Sequence, residues 1–221
     1  MFHKGHLKIE TRPMGSFACN CTLIYSDISK EAIIIDPGND FDSLDRWVAP
    51  MKLKIVALLH THAHFDHIGH SSMASEKYGA PIFLHDGDLF LYQALKQQGM
   101  FFGQNVGDPK PVDAKLMHEQ TFSLIDPELK DFLTCFHTPG HTPGSCCFYT
   151  DKLEQPLLMA GDTLFRGSIG RTDLPGGDMN KIVDSIKSEL YTLPDETMVI
   201  TGHGPMTRIF EEKKSNPFVR A

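Results

Sequence analysis

The spacing of apolar residues changes character repeatedly along the chain. Residues 7–12 alternate weakly between apolar and polar. Residues 21–25 and 31–35, joined by the polar stretch 26–30, read as a two-stranded hairpin that Asp36-Pro37-Gly38 stops sharply. Phe41, Leu44 and Val48 then recur at helical spacing, with Asp40 as N-cap and Pro50 as stop. Residues 55–59 form an apolar run of the kind found in a buried strand. A helix is expected from about 68 to 78, closed by Gly79, followed by a short strand over 81–85 and a second helix over 88–98 that Gly99 should end. Residues 101–111 are rich in Gly, Pro and Asp and predict a long loop bordering a pocket. Strands follow at 121–125, 132–136, 146–149 and 156–160. Met179, Ile182, Val183, Ile186 and Leu190 mark an amphipathic helix capped by Asp178, and 198–201 form the last strand.

No repeat, linker or low-complexity tract interrupts this order, so residues 1–221 are expected to form one domain. Short strands in hairpins, interleaved with helices, point to the α/β class, as two sheets with helices outside. The composition, 41% hydrophobic and 22% charged, suits a chain of 221 residues with one large core. A formal net charge of -7 argues against a nucleic-acid surface built from bulk positive charge. The N-terminal residues carry no secretory pattern, and no apolar run approaches the roughly 18–20 residues of a membrane span. A soluble, cytoplasmic protein with no membrane partner is the expectation. The five cysteines lack zinc-knuckle or redox-pair spacing and read as small buried hydrophobes.

Histidine changes the picture. Of 12 histidines, three fall within His62-Ala63-His64-Phe65-Asp66-His67, directly after the apolar run at 55–59. His62 and His64 are two apart and face the same way in extended backbone, whereas Asp66 and His67 are adjacent and must diverge. Such divergence suits two neighbouring ions better than one. Three later positions repeat one pattern, an apolar strand, then glycine, then a metal-binding side chain: His141, Asp162 and His203. Five histidines and two aspartates over-supply one zinc, which takes about four ligands, and fit two if a carboxylate bridges. Asp36 either hydrogen-bonds a ligand histidine or simply forms the turn. His60 and His70 flank the motif at the surface or behind the ligands. His85, His118 and His137 are expected in ordinary polar contacts, and His3 and His6 in a frayed terminus.

The HxHxDH stretch with His141, Asp162 and His203 resembles the metallo-β-lactamase-fold hydrolases, whose fold is a four-layer αββα sandwich of two mixed sheets with helices outside. Gly161-Asp162-Thr163-Leu164-Phe165, Gly170-Arg171, Gly202-His203-Gly204-Pro205 and Asn216-Pro217-Phe218 look most like the glyoxalase II, or hydroxyacylglutathione hydrolase, branch. The resemblance implies that His62, His64, His141 and Asp162 hold a first divalent ion. Asp66, His67, His203 and a bridging Asp162 would hold a second. Zinc is the first expectation, with iron or manganese as alternatives. It further implies that hydroxide shared by the ions attacks a small-molecule thioester such as S-D-lactoylglutathione, or an ester, with Asp66 orienting it.

The likeness thins at the thiol carrier. Arg171 stands where the family offers a lysine to the substrate, and Asp173 where it offers an aromatic residue. No C-terminal helical glutathione-binding domain is expected, and the chain resembles a shorter, single-domain subgroup. The rival reading is a mononuclear-iron persulfide dioxygenase held by His62, His141 and Asp162; a lactamase or lactonase ranks below it. Oligomeric state is left open.

Overall fold

In a computed structural model that describes residues 1–220, the alternating runs become two sheets packed face to face. The first has seven strands in sequence order: β1 (Phe2–Lys4), β2 (Leu7–Met14), β3 (Cys19–Ser26), β4 (Glu31–Ile35), β5 (Lys54–Leu59), β6 (Ile82–Leu84) and β7 (Ala114–Lys115). β1 to β4 pair antiparallel, and β4 to β7 pair parallel. The second sheet is built from β8 (Thr121–Phe122), β9 (Leu133–His137), β10 (Cys146–Thr150), β11 (Leu157–Gly161), β14 (Met198–Thr201) and β15 (Thr207–Arg208). A small ribbon of β12 (Leu164–Phe165) and β13 (Ser168–Ile169) stands apart from it. Within the second sheet only β11 and β14 run parallel.

Strand periodicity decides the layering. In β4 every residue is buried, yet neighbours serve different cores. Ile33 and Ile35 pack with Ile24, Ala57 and Leu59 against Phe148, Leu157 and Met159 of the opposite sheet. Ala32 and Ile34 point the other way, onto Leu44, Trp47 and Val48 of α1 (Phe41–Val48) and Ala74 of α3 (Ser71–Tyr78). β11 repeats the division: Leu158 and Ala160 meet Ile182 of α6 (Met179–Ser185) and Ile209 of α7 (Ile209–Ser215). Two sheets, each with an apolar outer face, therefore need helices on both sides, and the αββα sandwich follows.

Several elements differ from expectation for local reasons. The helix expected over 68–78 is divided into α2 (Phe65–Ile68) and α3, because His70 leaves the helical conformation and its Nδ1 accepts a hydrogen bond from Phe41 N at 3.0 Å. Gly79 ends α3 in the left-handed conformation as expected. The helix expected over 88–98 breaks at Ala94 into α4 (Leu89–Gln93) and α5 (Leu95–Phe101). Gly99 does not end it. A Cβ there would lie 2.8 Å from both Gln104 O and Val106 Cγ2, so glycine serves a close approach of the following loop. The helix at 179 continues as a π-helical turn, Ile186–Leu190, and Asp178 caps it by accepting from Asn180 N and Lys181 N. His3, expected in a frayed terminus, pairs with Lys8 in the β1–β2 ladder. α7 and the β12–β13 ribbon were not evident from the pattern. All five cysteines are buried and unpaired by disulfide. Among the described residues no helix is long and apolar enough to cross a membrane.

Two parallel pairs, β4–β5 in the first sheet and β11–β14 in the second, matter most for function. β4 and β5 end together at Ile35 and Leu59, and β11 and β14 end together at Gly161 and Thr201. The backbone ties these ends, with Cys146 N donating to Thr61 O at 2.7 Å and Gly202 N to Gly161 O at 2.7 Å. All four polar segments therefore leave at one edge of the sandwich. Phe148 is fully buried between the sheets that hold this edge in place. Phe148→Ala is expected to cost about 3–5 kcal/mol, measured by denaturant unfolding; a loss below 1 kcal/mol would contradict the packing described.

Candidate metal centre

Beyond β5 the chain turns at Thr61 and presents His62, passes His64 in extended backbone, and enters the single turn of α2 with Asp66 and His67. The motif is thus half turn and half helix. His141 arrives on the loop between β9 and β10, Asp162 directly after β11, and His203 directly after β14. Glycine is required at two of these exits. A Cβ on Gly202 would overlap Asp162 Oδ1, and Gly161 adopts a φ of +48° against the side chain of Thr61.

Hydrogen bonds fix how the imidazoles present themselves. His67 Nδ1 lies 2.9 Å from Asp36 Oδ2, His203 Nδ1 2.9 Å from Phe17 O, and His141 Nδ1 2.8 Å from Arg171 O. Each acceptor takes the Nδ1 proton and leaves Nε2 facing the shared space. His62 follows suit: Thr61 Oγ1 donates to Asp36 Oδ2 at 2.6 Å and so accepts from His62 Nδ1 at 3.0 Å. His64 is turned the other way, with Nδ1 pointing inward, 3.0 Å from His141 Nε2.

Ligand atoms of His62, His64 and His141 lie within 4.8 Å of one another, as do those of Asp66, His67 and His203. His62, His67 and Asp162 form a linking group of the same dimensions. Asp162 faces both sets: Oδ1 is 3.4 Å from His67 Nε2 and 3.7 Å from His203 Nε2, while Oδ2 is 3.6 Å from His141 Nε2. Asp66 Oδ2 lies 3.1 Å from His203 Nε2. His62 Nε2 and Asp162 Oδ1 are buried and have no hydrogen-bond partner among the described residues. Unpartnered buried acceptors are costly, and a divalent cation would satisfy both. The donor set, imidazoles with carboxylates, therefore fits two cations.

The electrostatics agree. Burial, reinforced by the neighbouring imidazoles, holds His62 well below the usual histidine range and takes His64 down to about 3, so both stay neutral as ligands must. Burial also pulls on His67, but the carboxylates of Asp162, Asp66 and Asp36 outweigh it and push His67 well above its ordinary value. His203 is likewise raised, burial being outweighed by Asp66 and Asp162. Burial alone would raise the Asp162 carboxyl, yet His67, His141 and His203 drive it far below the carboxylate range. Without a cation, a proton on His67 offsets part of the aspartates' charge. Cys19 also sits beside Asp36 and His67. Burial pushes its thiol up to about 12, so it remains a neutral neighbour of His67 Nδ1 and supplies no thiolate.

The structure brings all seven sequence-derived candidates together. Asp36 combines both alternatives left open for it: it closes the turn, at a φ of +51°, and orients His67. Arg171 lines the cleft of about 150 Å³ that opens onto His64, Asp66, His141 and Asp162. Its guanidinium is engaged by Asp173, Nε to Oδ1 at 2.7 Å and Nη2 to Oδ2 at 2.8 Å. His60 is buried, between Phe83 O and Ser71 Oγ, and outside the cluster. His85 stacks on His137, also away from it.

Two residues escaped the sequence reading. Buried Asp88 accepts from Ala63 N, Thr142 Oγ1 and Gly144 N, clamping the first histidine loop to the loop of His141. The sequence marks it only as the start of the expected 88–98 helix, and in the structure it precedes α4 without its carboxylate capping that helix. Gln98 Oε1 accepts from Phe65 N, and no sequence signal marked it.

The metallo-beta-lactamase superfamily model matches residues 14–203. The chain belongs to that superfamily. Among its relatives, the hydroxyacylglutathione hydrolase GloC of Haemophilus influenzae is 37% identical, the match covering 97% of this chain and 99% of that one. Three solved structures of the superfamily fold are also similar. The BLEG-1 B3 metallo-beta-lactamase superposes with a TM-score of 0.85 at 38% identity, over 97% of this chain and 100% of that one. TTHA1623 in a di-iron-bound form gives 0.83 at 34%, over 95% and 100%. ETHE1 from Myxococcus xanthus gives 0.74 at 25%, over 95% and 83%. The metallo-beta-lactamase fold binds divalent metals, and the hydrolases of this superfamily are generally metal-dependent.

Because His67 is raised well above its ordinary value in the metal-free protein, it carries a proton at neutral pH that a cation must displace. Metal loading at pH 7 is expected to release protons, and affinity to rise with pH, as read by an indicator dye in weak buffer; proton-neutral loading would contradict this assignment. Asp36→Asn, which removes the acceptor for His67 Nδ1, is expected to weaken metal binding about 10–100-fold in chelator competition. Unchanged affinity would leave Asp36 only its turn.

Proposed function

We propose that the chain is a binuclear metal-dependent hydrolase that cleaves a thioester, or a related ester, in the manner of a hydroxyacylglutathione hydrolase. The observation that carries this reading is Asp162, whose two oxygens face two separate ligand groups. His62, His64, His141 and Asp162 would hold one cation; Asp66, His67, His203 and the same Asp162 would hold the other. When bound, the two cations supply a water acidified toward neutrality and polarise the scissile carbonyl. Zinc is the first candidate and iron or manganese the alternatives, the di-iron form of TTHA1623 speaking for iron.

The remaining work falls to the protein's own side chains. Asp66, with Oδ2 toward the shared space, orients the attacking water. Asp36, Thr61 and the carbonyls of Phe17 and Arg171 keep four imidazoles in the tautomer that directs Nε2 inward. Phe17, Phe65 and Phe102 give the cleft an aromatic wall. Arg171 lines the cleft, and a substrate carboxylate would have to displace Asp173 to reach it. The likeness to GloC supports a small-molecule thioester such as S-D-lactoylglutathione, and residues 1–221 are read as one hydrolase domain.

The mononuclear-iron persulfide dioxygenase stands as second reading because of the likeness to ETHE1. Against it stands the second group of Asp66, His67 and His203, which a single iron would leave without a function. Purified protein is expected to cleave S-D-lactoylglutathione without oxygen uptake. Oxygen consumption with glutathione persulfide and one iron per chain would overturn the proposal. Asp162→Ala is expected to lose both ions and His203→Ala chiefly one, by elemental analysis; full metal content in Asp162→Ala would refute the shared carboxylate.

A further inference from the structure

A second hollow of about 360 Å³ adjoins the metal cleft and shares His64, Gln98, Phe102 and Leu174 with it. Its volume lies within the roughly 300–1,000 Å³ usual for small-molecule sites. One wall is the face of α4 and α5 that carries Phe90, Leu91, Ala94 and Phe101; Leu174 and Pro175, just beyond Arg171, form the other. Phe101 is 84% exposed and Phe90 47% exposed, so large apolar surface faces water beside the reactive centre. Two amides line it, and only that of the exposed Gln97 is open to a ligand; the Gln98 amide is already spent. Gln98 Nε2 donates to Ala63 O at 3.1 Å and Leu91 O at 2.8 Å, and Oε1 accepts from Phe65 N at 3.1 Å. No charged side chain lines this hollow. The one cation in the adjoining cleft, Arg171, is held bidentately by Asp173.

Resting on the hydrolase reading above, we infer that this groove receives an uncharged, apolar arm of the substrate, alkyl or aryl, while the scissile carbonyl sits at the metal centre. Continuity through His64 fixes the geometry: an arm lying along α4 and α5 leads directly to a proposed metal ligand. The match is one of kind as well as position. A peptide-like, multiply charged carrier laid in this groove would set its carboxylates against carbon, with no cation and only the Gln97 amide to meet them. An apolar arm would instead remove exposed phenylalanine and leucine surface from water. Phe90, Phe101 and Leu174 are thus specificity-determining residues, and the preferred substrate is an acyl thioester or ester with an apolar substituent on one side of the cleaved bond.

The test is a pair of substrate series for the metal-loaded protein. One lengthens the acyl group from acetyl to octanoyl on N-acetylcysteamine, and the other lengthens the alkyl thiol of an acetyl thioester. In one series kcat/KM is expected to rise about two- to fourfold per methylene until the groove is filled. The exposed variant Phe101→Asp, and separately Ala94→Trp, should cut the octanoyl-to-acetyl ratio, or the matching thiol ratio, at least tenfold with metal content unchanged. A flat dependence in both series, with acetyl thioester still cleaved, would overturn the groove while leaving the hydrolase reading intact. Failure to cleave any thioester would instead overturn the hydrolase reading. A dimer in sedimentation that Phe101→Asp dissociates, with the length dependence unaltered, would assign the face to a second copy and likewise overturn the inference.

Discussion

The candidate centre depends on one buried carboxylate. Asp36 sits at the end of β4, at a φ of +51° that few non-glycine residues adopt, and it accepts from Thr61 N, Thr61 Oγ1 and His67. Those bonds tie the ends of two parallel strands to the helical turn of the motif. Through Thr61 they also fix the tautomer of His62, so one side chain orients an imidazole in each of the two ligand groups. A strained backbone persists where its surroundings over-determine it, and here three buried hydrogen bonds do so. The left-handed turn at Asp36 is the means by which a structural strand end becomes a scaffold for two histidines.

Asp88 complements it from the other side. Asp36 joins β4 to β5 and α2, whereas Asp88 joins the first histidine loop to the loop of His141. Between them the two carboxylates connect loops from both sheets without entering the shared ligand space. The parallel ends of β11 and β14 then deliver Asp162 and His203, with glycines at 161 and 202 leaving no side chain between the strands and the centre. The centre is therefore built where two parallel strand pairs, in two different sheets, terminate at one edge.

Much of this was legible in the chain because the signals were local. The hairpin at 21–35, the buried strand at 55–59 and the caps at Asp40, Gly79 and Asp178 each follow from a handful of neighbouring residues. The recurring order of strand, glycine and ligand marked His141, Asp162 and His203 for the same reason. What the sequence hid depends on contacts across the fold. Gly99 looks like a helix stop until Gln104 and Val106 are seen packed against it. Asp88 looks like the first residue of a helix until its carboxylate is seen turned toward Thr142 and Gly144. Arg171 looks like a free cation until Asp173 is found holding it, and that pairing weakens the case for an anionic carrier.

The central claim is that two cations share Asp162, and anomalous diffraction from crystals of the metal-loaded protein tests it most directly. Two peaks about 3.5–4 Å apart are expected, flanking the Asp162 carboxylate, one beside His62, His64 and His141 and the other beside Asp66, His67 and His203. A single peak held by His62, His141 and Asp162, with Asp66 and His203 left uncoordinated at saturating metal, would contradict it.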